Sequence, residues 1–272
     1  MKLPVALANA LLTLWEQARA RWRRPAPPPD RTAGDHGRQA PAGLVTTVIL
    51  LSWERPSNVK AILDAYTQYR RVAEIIVWNN NPDLTLTYHH AKVRVINSAE
   101  LGLSTRWAAA LLASHGCIIV ADDDLIVAED TIDRLIDWCW QDPDRAYTLH
   151  GRNPTPDNEY AVRVDHVREP TEALMHLTRA TCLHRRHVSG YFRAIEEIGL
   201  SIDPASGGGE DIVMSFALTR ATGKRPLVIP GRYRDLLAAR GQANRNGSQR
   251  KHRTLLMRRC QAWIEGNTPG ER

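Results

Sequence analysis

The chain has 272 residues, of which 43% are hydrophobic and 24% charged, enough for one sizeable α/β domain with a short appendage. No apolar run is long enough to span a membrane, and the four widely spaced cysteines form no CxxC pair, which argues against a zinc site or a disulfide framework. The net charge of +6 permits a polyanionic partner, such as a phosphate-bearing substrate, nucleic acid or an anionic membrane surface.

The N-terminal segment differs in composition from the rest of the chain. Residues 3–23 carry leucines and tryptophans at helical spacing and end among arginines, which predicts an amphipathic helix over residues 1–24. Residues 25–43 have the proline-rich, polar composition of a linker, and the folded domain is expected over residues 44–265. Only Lys2 leads the apolar run, so we interpret it as amphipathic and not as a secretion signal. With reduced thiols this predicts a cytoplasmic protein, whose N-terminal helix packs on the domain or contacts the inner membrane face peripherally.

The first half of the predicted domain alternates strand and helix signals. Runs rich in β-branched residues predict buried strands at residues 45–51, 74–78, 93–96 and 117–121. Apolar residues at helical spacing predict helices that begin at Pro56 and cover residues 103–114 and 130–140. This β-α-β-α order predicts a Rossmann-like α/β fold with a mostly parallel sheet and helices on both faces.

The second half is less regular. Short strands are predicted at residues 146–150, 178–183 and 225–230, and a loop over residues 207–211 leads into an apolar helix over residues 212–221. The tail from Arg232 to Arg259 contains nine basic residues and one acid, Asp235. A lid over a diphosphate, a nucleic-acid-binding patch and a solvated helix all agree with that charge.

Three consecutive aspartates, Asp122, Asp123 and Asp124, follow the predicted strand at residues 117–121. Open α/β sheets bind ligands at the carboxyl ends of their strands, and adjacent carboxylates repel one another unless a cation relieves them. Residues i and i+2 of an extended segment point to one side, so Asp122 and Asp124 are expected to face one ligand together. Such oxygen donors suit Mn²⁺ or Mg²⁺ shared with substrate phosphates. The alternative is an acidic loop that only caps the next helix.

Glu210 and Asp211 follow three glycines, which let a backbone approach a ligand closely. The simplest interpretation is that they cap the helix that follows. Beside a metal site, such a carboxylate can stabilise a sugar cation, orient an acceptor hydroxyl or attack an anomeric carbon. Arg55, Arg106 and Arg253 are candidates for bidentate diphosphate binding, although a single arginine is more often a surface charge.

Several short stretches follow one another in the order and approximate spacing of a known family. They are residues 53–55, 77–80, Arg106, 121–125, 138–143, 150–152, 210–216, 222–224, Gly241 and Arg253. From about Thr47 to Trp263 the chain resembles the exostosin-like α-N-acetylhexosaminyltransferases, which are retaining glycosyltransferases of GT-A fold. The resemblance implies a GT-A fold, a UDP-sugar donor and Mn²⁺ or Mg²⁺ as the cofactor.

The resemblance also implies roles for the residues that match. Those expected to contact the donor nucleotide and diphosphate are Arg55, Asn79, Asn80, Arg106, Asp122, Asp123 and Arg152. Asp124, together with Asp122, would hold the metal. Asp211, next to Glu210, would sit at the reacting carbon, and Arg253 would reach the diphosphate.

Two differences from this family, and a resemblance to a second family, limit which family properties can be expected of this chain. Gly209 stands where the family has a cysteine, so the family's disulfide is absent, which agrees with a cytoplasmic location. Residues 153–172 have no clear counterpart, so the family's acceptor specificity does not transfer. Residues 101–106 also resemble a large inverting GT-A family that makes polysaccharides, which leaves the inverting outcome open beside the favoured retaining one.

The hypothesis from the sequence is metal-dependent transfer of a sugar from a UDP-sugar to an acceptor hydroxyl, by a hexosyl- or N-acetylhexosaminyltransferase. A cell-surface glycan or a lipid-linked precursor is the favoured acceptor. The alternative acceptor is 5-hydroxymethylcytosine in DNA, as for phage-encoded enzymes of similar type, because an arginine-rich tail suits a phosphate backbone. A non-catalytic protein that binds a nucleotide sugar or nucleic acid is the third hypothesis.

Overall fold

The computed structural model describes Pro41 and residues 43–201, 208–236 and 249–266. The predicted N-terminal helix over residues 1–24 lies outside these residues, as does most of the predicted linker, so both stay predictions. In the described part of the chain, no helix is both long and apolar enough to cross a membrane.

The first half of the domain builds the parallel part of an eight-stranded sheet. Its elements alternate along the chain as β1 (Thr46–Ser52), α1 (Pro56–Tyr66), β2 (Val72–Asn79), β3 (Val93–Asn97), α2 (Thr105–Leu111) and β4 (Cys117–Ala121). Strand β1 pairs in parallel with β2 and β4, and β2 pairs in parallel with β3. Every residue of β1 is buried, because this strand has neighbours on both sides and helices over both faces.

The second half extends this sheet and adds two smaller ones. Its elements are β5 (Leu125–Val127), α3 (Glu129–Gln141), β6 (Tyr147–Thr148), β7 (His150–Pro154), β8 (Tyr160–Asp165), β9 (Thr171–Glu172), β10 (Met175–His176), β11 (Ala180–His184), α4 (Val188–Ile198), α5 (Glu210–Thr222), β12 (Leu227–Val228), β13 (Tyr233–Asp235) and α6 (Gln249–Ile264). The large sheet has the strand order β3-β2-β1-β4-β11-β6-β12-β9, and β11 runs antiparallel to β4. The small sheets are β10-β7-β8 and β13-β5.

Two apolar cores cover the two faces of the large sheet. Val48 and Leu50 of β1 point into the core that α1 and α3 cover, while Ile49 points into the core of α2, α4, α5 and α6. Alternate residues of a strand point to opposite faces, so one buried strand supplies both cores. The predicted α/β fold, with a mostly parallel sheet and helices on both faces, is confirmed.

The element boundaries differ from the predictions where the chain changes sheet. The strand predicted over residues 146–150 is two strands, because β6 belongs to the large sheet and β7 to the small one, with Leu149 between them. Strand β11 begins at Ala180, two residues later than predicted, which leaves Thr178 and Arg179 in the preceding turn. The last predicted strand, over residues 225–230, is shorter, and β12 covers only its centre.

Helix α5 begins at Glu210, two residues before the predicted start, so both acids lie in its first turn and not in a loop. Gly209 precedes the helix with φ +114°, in the region that favours glycine. A Cβ atom at this position would lie 2.4 Å from Cδ2 of Leu256 in α6. The backbone conformation therefore favours glycine, and any larger residue would force Leu256 to shift.

Replacing Gly209 with alanine should lower the free energy of unfolding by about 2–4 kcal/mol, because the backbone strain and the collision with Leu256 add together. Gly223 offers a matched control, since its φ is +73° and a Cβ there would meet no described atom within 4 Å. Gly223→Ala should cost only the backbone strain, about 1–2 kcal/mol. Urea unfolding of both variants measures the difference, and equal losses would contradict the packing argument.

Candidate active site

A cavity of about 390 Å³ opens at the carboxyl ends of β1 and β4. It is the edge of the sheet at which open α/β proteins bind ligands. All the predicted site residues except two line it, namely Arg55, Arg106, Asp122, Asp123, Asp124, Arg152, Glu210, Asp211 and Arg253. The exceptions, Asn79 and Asn80, are described below. The two acidic stretches found in the sequence therefore share one cavity.

Each carboxylate of the acidic triplet meets a different arrangement of arginines. Asp122 Oδ1 accepts a hydrogen bond of 2.8 Å from Arg106 Nη1, and Asp123 Oδ1 accepts one of 2.8 Å from Arg55 Nη1. Asp124 Oδ2 lies 3.5 Å from the same Arg55 atom. The other oxygen of Asp124, Oδ1, is buried and has no hydrogen-bond partner among the described residues. The triplet thus contains a buried carboxylate oxygen to which no described residue donates a hydrogen bond.

The pKa values of the three aspartates move in different directions. Burial would raise the pKa of Asp122, but the charge and hydrogen bond of Arg106 lower it below its ordinary value. Burial, with the negative charges of Asp122 and Asp124, raises the pKa of Asp123 to about 7 despite Arg55. Burial and the charge of Asp122 also raise the pKa of Asp124. Asp123 and Asp124 are thus shifted towards the protonated form, and a bound cation would favour the ionised form of both.

Glu210 and Asp211 reach the cavity from the first turn of α5, and both interpretations of their role find support. Gly209 N donates to Glu210 Oε2 at 3.0 Å, and Ile212 N donates to Asp211 Oδ1 at 2.9 Å, as helix-capping carboxylates do. Glu210 Oε1 also lies 3.2 Å from Arg106 Nε. Burial, with the charge of Glu210, raises the pKa of Asp211 to about 6, against the opposing charge of Arg253. These acids are therefore coupled to the cavity arginines as well as to the helix.

Buried hydrogen bonds hold the backbone of this first turn. Trp107 Nε1 donates to Glu210 O at 3.2 Å, and Ser215 Oγ donates to Asp211 O at 2.7 Å. Ser215 also bonds the ring of His176 at 2.9 Å, and both side chains are fully buried. The two catalytic candidates therefore stand on a rigid support, which functional sites need.

Arg253 and Arg152 enter the cavity from different elements and pack against the same ring. Arg253 Cζ lies 5.6 Å from the ring centre of Tyr160, and Arg152 Cζ lies 6.0 Å from it. Nearby acids, Asp211 first among them, raise the pKa of Arg253 against the effect of burial. The two cationic groups that face the cavity therefore share one aromatic neighbour.

Asn79 and Asn80 are fully buried beside the cavity and do not line it. Asn79 Nδ2 donates to Asn97 Oδ1 at 2.9 Å, which ties the ends of β2 and β3. Asn80 Nδ2 donates to Gly102 O at 2.8 Å and to Thr105 Oγ1 at 3.0 Å, which holds the start of α2. They position the segments around the cavity, and their contact with a donor nucleotide stays a prediction.

Some residues of the cavity have no signal in the sequence. Arg179 lines the wall beside Asp124, and its Nη2 lies 3.6 Å from Asp124 Oδ1. Trp53 and Glu54 also line the cavity, and they do have a signal, since residues 53–55 are among the stretches that carry the resemblance. Arg179 lies in the turn before β11, and only the pairing of β11 with β4 brings it to the aspartates. Its position therefore depends on a contact that sequence spacing does not reveal.

The four cysteines, Cys117, Cys139, Cys182 and Cys260, are buried free thiols. In the described part of the chain, no three side chains of histidine, cysteine, aspartate or glutamate are grouped so that they alone could hold a metal. A cation at the aspartates would therefore complete its coordination with water or with oxygens of a substrate.

The fold resembles that of a solved structure, "Crystal structure of GalNAc-T7 with UDP, GalNAc and Mn2+", with a TM-score of 0.54 and 14% sequence identity. The match covers 82% of this chain and 50% of that one, so this chain spans about half the length of that protein. A search of curated proteins finds no match. This likeness shows that the chain has the GT-A fold.

A match to a known family narrows this assignment. The glycosyl transferase family 64 domain matches residues 45–263, which is most of the chain. The chain belongs to glycosyl transferase family 64.

Removing Arg106 should leave Asp122 and Glu210 facing one another without the buried charge that pairs with both. Arg106→Met should therefore lower the free energy of unfolding at pH 7 by about 3–5 kcal/mol, as loss of one partner of a buried ion pair does. Because Arg106 lowers the pKa of Asp122 below its ordinary 3.8, its contribution is present above that pH and is lost as the pH falls through the folded value. The loss measured by urea unfolding should thus shrink in acid.

Arg145→Met is the matched control for this experiment. Arg145 pairs with Glu172 at 2.8 Å, outside the cavity lining, and that glutamate is 55% exposed. The control should cost less than about 1 kcal/mol. A similar loss in the free energy of unfolding of both variants would show that Arg106 does not stabilise the cavity.

Proposed function

We propose that this protein transfers a sugar from a UDP-sugar to an acceptor hydroxyl with the help of a divalent cation. The observation that carries the proposal is the convergence of residues 122–124 and the pair Glu210 and Asp211 on one cavity. Carboxylates that bind a cation and a carboxylate beside the reacting carbon are the two acidic groups such a reaction uses. Mn²⁺ or Mg²⁺ is the proposed cofactor, since both prefer oxygen ligands.

The residues fit such a cation. Asp124 Oδ1 is buried without a hydrogen bond from any described residue, and Asp122 approaches the same cavity. Two carboxylates leave coordination positions for water and phosphate oxygens, as Mg²⁺-type sites commonly do. When bound, the cation supplies neutralisation of the charge that develops on the leaving diphosphate. The solved GalNAc-T7 structure contains Mn²⁺ together with UDP, which supports the choice of both ligands.

Arg253 and Arg152 are the proposed partners of the donor diphosphate. Neither has a carboxylate oxygen of a described residue within 4.0 Å of its nitrogens, in contrast to Arg55 and Arg106. Their guanidinium groups are therefore available for bidentate binding of phosphate oxygens. They line the same cavity as Asp211, where they would assist departure of the diphosphate.

Asp211 is the proposed residue at the reacting carbon. It is 6% exposed and faces the cavity from the first turn of α5. An ionised Asp211 would stabilise the oxocarbenium-like centre or attack it, while Glu210 stays paired with Arg106. A retaining outcome, as in the exostosin-like enzymes that the sequence resembles, is part of the proposal.

For the acceptor we propose a glycan or a lipid-linked precursor, modified in the cytoplasm or at the inner membrane face. Hydroxymethylated DNA is the alternative. It is favoured by basic residues of α6, among them Arg250 and Lys251, which are exposed.

Asp124→Asn should reduce release of UDP from UDP-sugars at least 100-fold, because the variant loses the charge that would hold the cation. The assay compares several UDP-sugars with Mn²⁺, with Mg²⁺ and with EDTA. Asp144→Asn is the control, since Asp144 is an exposed carboxylate that pairs with Arg186 away from the cavity lining, and it should release UDP like the wild type. Full release by Asp124→Asn, or release that EDTA does not affect, would contradict the metal assignment.

The same UDP-release assay distinguishes between the candidate acceptors. Glycan, lipid-linked and 5-hydroxymethylcytosine-containing DNA acceptors are added in turn, and the acceptor should raise the rate of UDP release. DNA binding that weakens steeply with salt, together with transfer to hydroxymethylcytosine, would replace the glycan hypothesis with the DNA one. Binding of UDP-sugar without release under any condition would support a non-catalytic protein.

The rate of transfer should depend on the ionisation of Asp211. Its pKa is raised from 3.8 to about 6, so the carboxylate required at the reacting carbon takes up a proton as the pH falls through about 6. The value of kcat/KM should therefore fall about tenfold per pH unit below that point. Asp211→Asn should lose most of the activity, and the fall of kcat/KM below about pH 6 should be absent from the activity that remains. A wild-type profile that is flat between pH 5 and 7 would rule out a catalytic role for the ionised form.

A further inference from the structure

Arg179 lies between two carboxylates that are far apart in the sequence, Asp124 and Asp235. Its Nη2 is 2.5 Å from Asp235 Oδ1 and 3.6 Å from Asp124 Oδ1. We propose that Arg179 is a resident counter-cation that a divalent metal displaces from Asp124, and that Asp235 holds the displaced guanidinium. The inference rests on the proposed function, which assigns Asp124 to the metal.

Two antiparallel strand pairs bring these three residues together. In the first pair, Ala180 of β11 is the partner of Ala121 of β4, so Arg179 stands beside Asp122, whose N donates to Arg179 O at 3.4 Å. In the second pair, β13 lies against β5, and Leu236 N donates to Asp124 O at 2.7 Å, which places Asp235 beside Asp124. The strand pairing of the backbone therefore holds Arg179 next to Asp124 and Asp235.

The two contacts of Arg179 are unequal. At 2.5 Å the contact with Asp235 is a short charge-assisted hydrogen bond, whereas 3.6 Å to Asp124 Oδ1 is too long for one. Asp124 Oδ1 accordingly has no hydrogen-bond partner among the described residues. Arg179 thus neutralises Asp124 only through the electric field and can withdraw from it without breaking a hydrogen bond.

Other contacts hold Arg179 on the side of Asp235. Its Nη1 lies 3.4 Å from His150 Nε2, and its Cζ lies 5.7 Å from the ring centre of Tyr233. A withdrawing guanidinium would keep these contacts, so the movement needs only a small shift away from Asp124. After such a shift the charge of Arg179 would remain paired with Asp235, beside the rings of His150 and Tyr233.

A metal ion and Arg179 compete for the same carboxylate. An ion bonded to Asp124 Oδ1 at about 2.0–2.2 Å would lie close to Arg179 Nη2, and like charges at such separations repel strongly in a partly buried site. The nucleotide-free protein should therefore bind Mn²⁺ weakly. The negative charge of a donor diphosphate would offset this repulsion, so the cation would enter together with the donor.

The test measures the dissociation constant of Mn²⁺ for the nucleotide-free full chain, from the electron paramagnetic resonance signal of free Mn²⁺. Arg179→Met should bind Mn²⁺ about tenfold more tightly than the wild type, because the competing charge is gone. Asp235→Asn should bind it more weakly, because the guanidinium is then drawn back to Asp124. Arg145→Met also removes one positive charge, but outside the cavity lining, and should keep the wild-type constant.

The outcomes separate this inference from the proposed function. Unchanged or weaker Mn²⁺ binding by Arg179→Met overturns the counter-cation role, because a merely structural arginine would not oppose the metal. Should that variant fail to fold by circular dichroism, Arg179→Gln carries the same expectation. If Asp124→Asn binds Mn²⁺ like the wild type, both proposals are wrong. If Asp124→Asn loses the metal while Arg179→Met equals the wild type, only the inference about Arg179 fails.

Discussion

Arg106 is 4% exposed, and its guanidinium bonds Asp122 at 2.8 Å and approaches Glu210 at 3.2 Å. Burying any one of these three charges without its partners would cost roughly several kcal/mol. Each charge is therefore stable in the interior only because the others are there. Asp122 follows the parallel strand β4, whereas Glu210 opens helix α5 in the second half of the chain. One arginine therefore joins the two halves of the domain at the point where the cavity opens. The other contacts of the cavity depend on this link between Asp122, Arg106 and Glu210.

The arginines make three adjacent aspartates chemically different. Arg106 compensates Asp122 with a short bond and lowers its pKa, whereas the pKa of Asp123 rises to about 7 although Arg55 bonds it. Asp124 is compensated least directly, since its nearest arginine nitrogens lie 3.5 and 3.6 Å away. A cation gains most where negative charge is least compensated. The electrostatic arrangement therefore supports the proposed cation position at Asp124, independently of any resemblance to other proteins.

The acidic residues of the cavity could be located from the sequence because their signals are local. Residues 122–124 follow an uninterrupted apolar strand, and Glu210 and Asp211 follow glycines and precede an apolar helix. Each signal needs only a few neighbouring residues. The rule that ligands bind at the carboxyl ends of parallel strands then places the first of these groups at the sheet edge.

Arg179 and Tyr160 could not be located in this way. Their positions follow from the antiparallel pairing of β11 with β4 and from the packing of α6 near β8, which join segments far apart in the sequence. Strands such as β6, β10 and β12 have only two residues and therefore carry no periodic pattern. The apolar pattern also predicts the start of α5 two residues too late, because the left-handed backbone of Gly209 sets this start.

Helix α6 connects these irregular parts of the cavity. Arg253 lines the cavity, Thr254 Oγ1 accepts the hydrogen bond of Tyr160 N at 3.1 Å, and Leu256 closes over Gly209. Any side chain there would need the space that Leu256 occupies. The packing of α6 therefore bears on both the acidic helix start and the basic wall, because the same helix lies against the start of α5 at Glu210 and carries Arg253.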